Sequence, residues 1–204
     1  MRLGVFHPLF LRGASPEWPP IRSASRVVAS VMATGSVPVV PDMPGVGSKK
    51  EATARDVLMG VPGAFAENVV VIGGGSTGCE TAECLAEAGA HVTVLEMQSE
   101  VVTDVGLLRK FLLMDRMGQK GIEVLTEKEV KELKAEGVVV EKEGGTETIG
   151  GVDAVVWAVG NKPDTTLEPL LKAKNIPFHK VGDCVAPRKI TDAIHEGFRC
   201  GYEL

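Results

Sequence analysis

The sequence predicts an α/β fold built around a parallel β-sheet. Residues 69–72 form a continuous run of β-branched side chains, the pattern expected of a strand that is covered on both faces. A glycine turn, a helical segment over residues 77–88 and a second apolar strand over residues 91–95 follow in order. Strand, turn, helix and strand make a βαβ unit, whose crossover is right-handed in nearly all proteins. We therefore expect a doubly wound, mainly parallel sheet.

Further segments extend this pattern along the chain. A second helix is expected from a cap at Asp104 to Met117, followed by a strand over residues 122–125. Residues 129–149 alternate like antiparallel strands around a glycine hairpin, which predicts an antiparallel β meander. The other predicted elements are a strand from residue 27 that ends at Gly35, a short helix over 52–59, and strands over 154–158 and 178–181 before a helix over 189–203.

Composition and charge exclude several classes of protein. Of the 204 residues, 44% are hydrophobic and 24% are charged, which is typical of a folded domain. A net charge of −5 and an aromatic content of only 4% argue against binding of nucleic acid. No segment approaches the ~20 apolar residues of a membrane helix. The four cysteines are too few and too scattered for a disulfide framework, so we expect a cytoplasmic protein with no membrane partner.

A glycine motif follows the first strand of the βαβ unit. The letters GGGSTG, which begin at Gly73, satisfy G-x-G-x-x-G between a strand and a helix. Gly73 permits the tight turn, Gly75 lets a diphosphate approach the backbone, and Gly78 lets the helix pack against the strand. The helix-start amides of Ser76 and Thr77 would then face the anion, aided by the helix dipole. The motif predicts a dinucleotide-binding turn.

An acidic residue supports this interpretation. Glu96 ends the second strand, 18 residues beyond Gly78, close to the ~20 expected for a carboxylate that accepts ribose hydroxyls. A 2′-phosphate would be repelled there, and the next three residues include no arginine or lysine to bind it. The sequence therefore predicts a site for NAD, with NADH preferred over NADPH. A structural glycine turn without a nucleotide remains the alternative.

Two segments resemble a known family of flavoproteins. Residues 68–97 and residues 182–197, with the sequence GDCVAPRKITDAIHEG, are similar to the reductase half of the NADH:flavin oxidoreductases related to 2,4-dienoyl-CoA reductase, 2-enoate reductase and trimethylamine dehydrogenase. This family lies within the pyridine nucleotide-disulfide oxidoreductase superfamily, and the likeness covers about residues 27–204. In the family, an NAD(P)H-binding Rossmann domain is inserted into an FAD-binding domain, behind a barrel that holds FMN and an iron–sulfur cluster.

The resemblance implies roles for residues on the nicotinamide side. Glu80 is similar to a family glutamate near the nicotinamide, and Gly160 resembles a turn that passes close to the cofactor. Taken alone, Glu80 could equally be a first-turn acid that stabilises the helix dipole.

Other residues resemble the flavin side of the family. Asp183, in the turn that begins at Gly182, resembles an aspartate that binds a ribityl or ribose hydroxyl of the flavin. Pro187 and Arg188 lie where helix-start amides would face the flavin ring. Asp183 could equally form the turn or cap a helix.

The resemblance also divides the chain into domains. Residues 67–160 are expected to form the NAD-binding Rossmann domain, and residues 27–66 and 161–204 a second, incomplete FAD-domain-like lobe. Residues 1–26, with irregularly spaced prolines, predict an irregular N-terminal arm. The family's FAD glycine turn, barrel and cluster cysteines have no counterpart here, so we expect an N-terminally truncated member that does not bind FAD tightly alone.

Three functions remain open from the sequence. The first is an NADH-dependent flavin oxidoreductase of the enoate reductase type, or a fragment of one, which passes hydride to a flavin without a catalytic side chain. The second is an NADH-binding module without catalysis. The third is a subunit that completes its flavin site with a flavin-bearing partner chain or domain, or by self-association. The histidines and cysteines lack metal-ligand spacing, so no metal site is expected.

Overall fold

A computed structural model of the chain describes residues 30–61, 66–142 and 144–204. The arm predicted over residues 1–26 lies outside these ranges, as does the start of the strand predicted from residue 27. The described residues divide into two compact units, a smaller one of residues 30–37 and 161–204 and a larger one of residues 38–160.

In the described part of the chain, short strands and five helices follow one another. The strands are β1 (Ser30–Met32), β2 (Ser36–Pro38), β3 (Lys50–Thr53), β4 (Asn68–Ile72), β5 (His91–Leu95), β6 (Glu123–Leu125), β7 (Glu129–Lys134), β8 (Gly137–Lys142), β9 (Gly145–Gly150), β10 (Ala154–Trp157), β11 (Asn161–Pro163) and β12 (Phe178–Lys180). The helices are α1 (Ala54–Leu58), α2 (Ser76–Glu87), α3 (Leu107–Gln119), α4 (Glu168–Ala173) and α5 (Ile190–Glu203), with a 3₁₀ turn over Gly182–Cys184.

The larger unit is built on a five-stranded parallel sheet in the order β3-β10-β4-β5-β6. At its centre, β4 pairs on one side with β5, where Val71 faces Val94, and on the other with β10, where Val70 faces Val155. The four residues of β10 and the last four of β4 are buried, as expected for strands covered on both faces. The predicted βαβ unit and its parallel sheet are therefore confirmed.

Different layers cover the two faces of this sheet. On one face, Val71 packs in a buried cluster with residues of α1, α2 and α3, including Val57, Leu85 and Leu113. On the other face, an antiparallel sheet in the order β7-β8-β9 packs Val138 and its neighbours against β4 and β10. The predicted antiparallel meander is thus confirmed, and it forms the third layer of a Rossmann-like fold.

One element was assigned differently by the sequence. The helix predicted over residues 52–59 begins only at Ala54, because residues 50–53 form the edge strand β3 and pair in parallel with β10. The segment KEAT has no apolar alternation, so its strand is specified by its neighbour in the sheet rather than by its own pattern. As a result, residues 38–61 lie in the larger unit, whereas the sequence placed residues 27–66 in the flanking lobe.

The smaller unit contains two pairs of strands. β1 pairs in parallel with β12, and β2 pairs with β11. The buried thiol of Cys184 donates to the carbonyl oxygens of Met32 and Val181, each at 3.1 Å, and so ties the 3₁₀ turn to β1. Cys200 of α5 is buried, whereas large apolar side chains of the same helix are exposed, namely Ile190, Ile194, Phe198 and Tyr202. The predicted last strand and helix are confirmed as β12 and α5.

Two further expectations concern cysteines and membranes. All four cysteines are free thiols. Within residues 30–61, 66–142 and 144–204, no helix is both long and apolar enough to span a membrane.

Replacement of Trp157 by Phe should destabilise the larger unit. The side chain is only 2% exposed, and its indole N–H donates to Glu51 Oε2 at 2.8 Å. The substitution removes this bond and leaves a small void, so the free energy of unfolding should fall by about 1–3 kcal/mol in urea titrations. Met59→Ala, at a position 73% exposed, is the control and should change it by less than about 0.5 kcal/mol. Equal urea midpoints for Trp157→Phe and the unmodified chain would contradict a stabilising role for the bond between Trp157 and Glu51.

Candidate functional site

The glycine turn after β4 is fixed by a close backbone approach. Gly73 has φ +111°, and its N–H donates to the carbonyl of Leu95 at 2.8 Å. A Cβ atom at this position would lie 2.5 Å from the carbonyl oxygen of Ala158, the residue that follows β10. Both the positive φ and this contact exclude any other residue, so the ends of β4, β5 and β10 meet at Gly73.

The other motif glycines have different surroundings. A Cβ atom at Gly78 would lie 1.9 Å from the carbonyl oxygen of Gly73, so α2 packs directly on the turn. At Gly75, by contrast, no atom of the described residues lies within 4 Å of a Cβ position. Close contacts therefore require glycine at positions 73 and 78. Position 75 instead borders open space, and there the sequence predicts the approach of a diphosphate.

The first turn of α2 is held by a carboxylate from a distant part of the chain. Gly75 is the N-cap residue and has no side chain to cap the helix. The backbone N–H of Ser76 donates to Asp104 Oδ1 at 2.9 Å, and the hydroxyl of Ser76 donates to Oδ2 at 2.5 Å. An anion in this position interacts favourably with the helix dipole. Ser76 thus has an internal anionic partner 28 residues away in the sequence.

The sequence had assigned Asp104 a different role, and that prediction was wrong. Asp104 does not cap the next helix, because α3 begins at Leu107 with Gly106 as its N-cap. The chain before it is folded back over the glycine turn, where the N–H of Val102 donates to the carbonyl of Gly74 at 2.8 Å. Spacing along the sequence favoured the nearer helix, and no local pattern identifies the tertiary partner.

Backbone strain accompanies this fold-back. Val102 is only 1% exposed and has φ 54°, a left-handed conformation that is rare for a β-branched residue. Such a conformation persists only where surrounding contacts impose it. Here the hydrogen bond to Gly74 and the packing of Val102 in the core impose it, and they direct the chain so that Asp104 reaches α2.

Hydrogen bonding keeps Asp104 ionised. Burial alone would raise the pKa of this carboxyl group, but the bonds from the hydroxyl and N–H of Ser76 outweigh it, and the pKa lies below its usual value of 3.8. At neutral pH the start of α2 therefore has a fixed negative charge beside it.

Glu96 lies beside the glycine turn, at the end of β5. Its Oε2 accepts the N–H of Gly74 at 2.7 Å, and its Oε1 accepts the N–H of Gln98 at 2.8 Å. The side chain is half-buried. Each carboxylate oxygen has a further lone pair that can accept a hydroxyl proton. The structure thus brings together the turn and the acid that the sequence predicts for a dinucleotide.

Glu80 lies one turn further along α2. Its Oε1 accepts a hydrogen bond from the guanidinium Nη2 of Arg109 on α3 at 2.6 Å. On the next turn, Glu83 pairs with Arg116 and Lys120, and the bond from Arg116 lowers the pKa of Glu83 despite its partial burial. The resemblance implied that Glu80 lies near a nicotinamide; the structure shows it as part of a row of ion pairs between α2 and α3.

Gly160 follows β10 and has φ +98°. Its carbonyl accepts the N–H of Val39 at 3.0 Å, and none of the described atoms lies within 4 Å of a Cβ at this position. The positive φ therefore accounts for glycine here, and the residue borders open space.

The residues that resemble the flavin side of the family, which begin at Gly182, lie in the smaller unit. Gly182 has φ +71°, and its N–H donates to Glu196 Oε2 at 2.7 Å. The carboxylate of Asp183 accepts the hydroxyl of Ser36 at 3.2 Å and the N–H of Arg188 at 3.3 Å. Both oxygens of Asp183 thus hold the loop that leads into α5.

A cleft of about 480 Å³ opens beside this loop. Gly182, Asp183 and Arg188 all line it, whereas Pro187 does not. The guanidinium of Arg188 pairs with Glu196 on α5, and this pairing raises the pKa of Arg188 and lowers that of Glu196. Three of the four residues on the flavin side therefore come together.

The thiol of Cys79 is buried within α2. Burial raises the pKa of the Cys79 thiol to about 12, so at neutral pH it is protonated and a poor nucleophile. In the part of the chain that the structure describes, no three histidine, cysteine, aspartate or glutamate side chains are grouped as metal ligands.

The five-stranded sheet, the glycine turn at its edge and the acid at the end of β5 define a Rossmann-like fold of the kind that binds dinucleotides. Residues 26–197 match the family model described as pyridine nucleotide-disulphide oxidoreductase. Because this match spans most of the chain, the protein belongs to the pyridine nucleotide-disulphide oxidoreductase family.

Named relatives are oxidoreductases. The chain is 38% identical over 180 residues to an NADH oxidase of Thermoanaerobacter brockii, with 85% of this chain and 27% of that protein covered. It is 35% identical over 171 residues to a cinnamate reductase of Clostridium sporogenes, with 82% of this chain and 25% of that protein covered. A solved complex of 2-naphthoyl-CoA reductase with 2-naphthoyl-CoA superposes with a TM-score of 0.77 at 32% identity. The superposition covers 86% of this chain and 27% of the reductase. The chain spans about a quarter of the length of these relatives.

Removal of the Asp104 carboxylate should weaken the larger unit in a pH-dependent way. Asp104→Ala leaves the Ser76 amide without its partner, which should cost about 1–2 kcal/mol of unfolding free energy at pH 7. Because the pKa of Asp104 is lowered in the fold, its stabilisation is complete above the usual value near 3.8 and is lost as the pH falls through the lowered value. In urea titrations from pH 7 downward, the unfolding free energies of Asp104→Ala and the unmodified chain should therefore converge. Asp115→Ala, an exposed change on α3, is the control; a constant difference at every pH would refute the role of the charge.

Proposed function

We propose that the larger unit binds NADH at the glycine turn. The diphosphate would meet the amides at the start of α2, and the adenosine ribose would meet the carboxylate of Glu96. The observation that supports this most directly is the 2.7 Å bond between Gly74 N–H and Glu96 Oε2, because it brings the predicted sugar ligand to the predicted phosphate turn. The open space at Gly75 and the family match support the same site.

A preference for NADH over NADPH is part of this proposal. The carboxylate of Glu96 suits the two free hydroxyls of the ribose and would repel a 2′-phosphate. Met97, Gln98 and Ser99 follow it and offer no cation.

We further propose that the chain serves an NADH-dependent flavin oxidoreductase of the enoate reductase type, of which it forms the nucleotide-binding part. The named relatives support the general chemistry, and the cinnamate reductase and the 2-naphthoyl-CoA reductase support a reductase of this kind. When bound, a flavin accepts hydride from the reduced nicotinamide. The residues of this chain would bind and orient the NADH, and no side chain is needed as acid, base or nucleophile.

The smaller unit fits a flavin only in part. Asp183 lines a cleft and could accept a hydroxyl, although both of its oxygens already have partners. Within residues 30–37 and 161–204, there is no glycine turn at a helix start like that of residues 73–78, so a flavin diphosphate has no comparable binding turn there. We therefore propose that the flavin site is completed by further polypeptide, by a partner chain or by a second copy of this chain.

Gly75→Ala should separate a nucleotide site from a structural turn. Gly75 has φ −65° and open space around its Cβ position among the described residues, so Ala should leave folding nearly unchanged. A methyl group there obstructs the close approach of a diphosphate, so NADH should bind at least about tenfold more weakly by fluorescence titration. Gly118→Ala, near the C-terminal end of α3 and also with open space around its Cβ position, is the matched control and should leave binding unchanged. Equal affinity in Gly75→Ala, or no NADH binding by the unmodified chain, would refute the proposed site.

An absorbance spectrum should distinguish the three functions. We expect a colourless chain that quenches NADH fluorescence and gains a flavin band only when further polypeptide is supplied, because its own flavin site lacks a phosphate turn. A yellow protein that NADH bleaches without air would instead show a complete flavin site in this chain. Flavin that appears only in an oligomer, by gel filtration, would identify self-association.

A further inference from the structure

The loop that follows β6 lies along the loop that holds Glu96. The N–H of Glu96 donates to the carbonyl of Leu125, and the N–H of Lys128 donates to the carbonyl of Glu96, each at 2.9 Å. Between them, Glu127 has φ 56°, and its N–H donates to the carbonyl of Gln98 at 3.0 Å. This left-handed turn fixes the backbone of Lys128 beside that of Glu96.

The side chain of Lys128 is committed to another acid. Its Nζ lies 2.7 Å from Glu147 Oε1 on β9, and the two side chains are only 19% and 31% exposed. Lys142 also pairs with Glu147, at 2.6 Å from Oε2. Hydrogen bonds from Lys128 and Lys142 lower the pKa of Glu147 to about 2, so this ion-paired cluster persists across the neutral pH range.

This arrangement matters for a 2′-phosphate. A protein that accepts NADPH needs a cation beside the 2′ position of the ribose, and the three residues after Glu96 supply none. Lys128 has a backbone bond to Glu96 itself and a long, flexible side chain with an ammonium group that binds phosphate. Its ammonium group is turned to Glu147 instead.

We infer that Glu147 is a specificity-determining residue for the dinucleotide, because it withholds Lys128 from the 2′ position and so strengthens the preference for NADH. The inference rests on the proposed function, in which Glu96 meets the ribose. It assigns the choice between NADH and NADPH to two acids: Glu96 repels the 2′-phosphate, and Glu147 neutralises the neighbouring lysine.

The test is Glu147→Gln, with NADH and NADPH titrated separately by fluorescence. The freed Lys128 should improve the affinity for NADPH by about threefold to tenfold, the range of one net hydrogen bond in water, and leave the affinity for NADH unchanged. Addition of Lys128→Gln to this variant should remove the gain, because the double variant restores the net charge and lacks the receiving ammonium. Glu141→Gln is the matched control: it removes the same charge from the same sheet, at a carboxylate paired with Lys131.

The possible outcomes separate this inference from the proposed function. A gain for NADPH that also occurs in Glu141→Gln, or that survives Lys128→Gln, would overturn the inference, since general charge or Lys142 would then explain it. An unchanged ratio of NADPH to NADH affinity in Glu147→Gln would overturn it as well. If the unmodified chain binds neither dinucleotide, the proposed function itself fails. Should Glu147→Gln not fold by circular dichroism, Glu147→Thr, whose side chain suits a strand, takes its place with the same expected result.

Discussion

The close approach of three backbone segments at the glycine turn determines the rest of the larger unit. A side chain at Gly73 would collide with Ala158, and one at Gly78 would collide with Gly73. Without these side chains, the ends of β4 and β10 and the start of α2 can meet at one edge of the sheet. Because α2 then lies directly on β4, Leu85 reaches the same buried cluster as Val71. The helical layer therefore packs closely against the sheet.

Charge at this edge of the sheet is arranged in two opposed ways. Asp104 places an anion on the amide of Ser76, where the proposed diphosphate would lie, whereas Glu96 is held by Gly74 and Gln98 with lone pairs to spare. The first interaction stabilises the start of α2 and would have to give way if another anion took that amide. The second is compatible with a bound sugar. In the proposed site, Glu96 would therefore bind the sugar, whereas the diphosphate would displace Asp104 from the amide of Ser76.

The sequence predicted the part of the structure that depends on local rules. The run at residues 69–72, the glycine motif and the acid at position 96 each follow a pattern with a physical cause, and the structure brings all three together. The edge strand β3 was not predicted, because KEAT has no alternation and is stabilised by pairing with β10. Asp104 was assigned to the wrong helix, and the ion pair of Lys128 with Glu147 was not foreseen, since both depend on side chains that meet only after the chain has folded. The roles of Glu80 and Asp183 stay predictions.

The bond between Glu96 and Gly74 would tie the proposed discrimination between NADH and NADPH to the rigidity of the glycine turn. A single carboxylate both faces the position proposed for the ribose and satisfies an amide of the turn. Any replacement of Glu96 that relaxes discrimination would also leave that amide without its partner and loosen the turn. If Glu96 selects the cofactor as proposed, an evolutionary change of cofactor at this position would weaken the turn, and substitutions elsewhere in the turn would have to compensate for it.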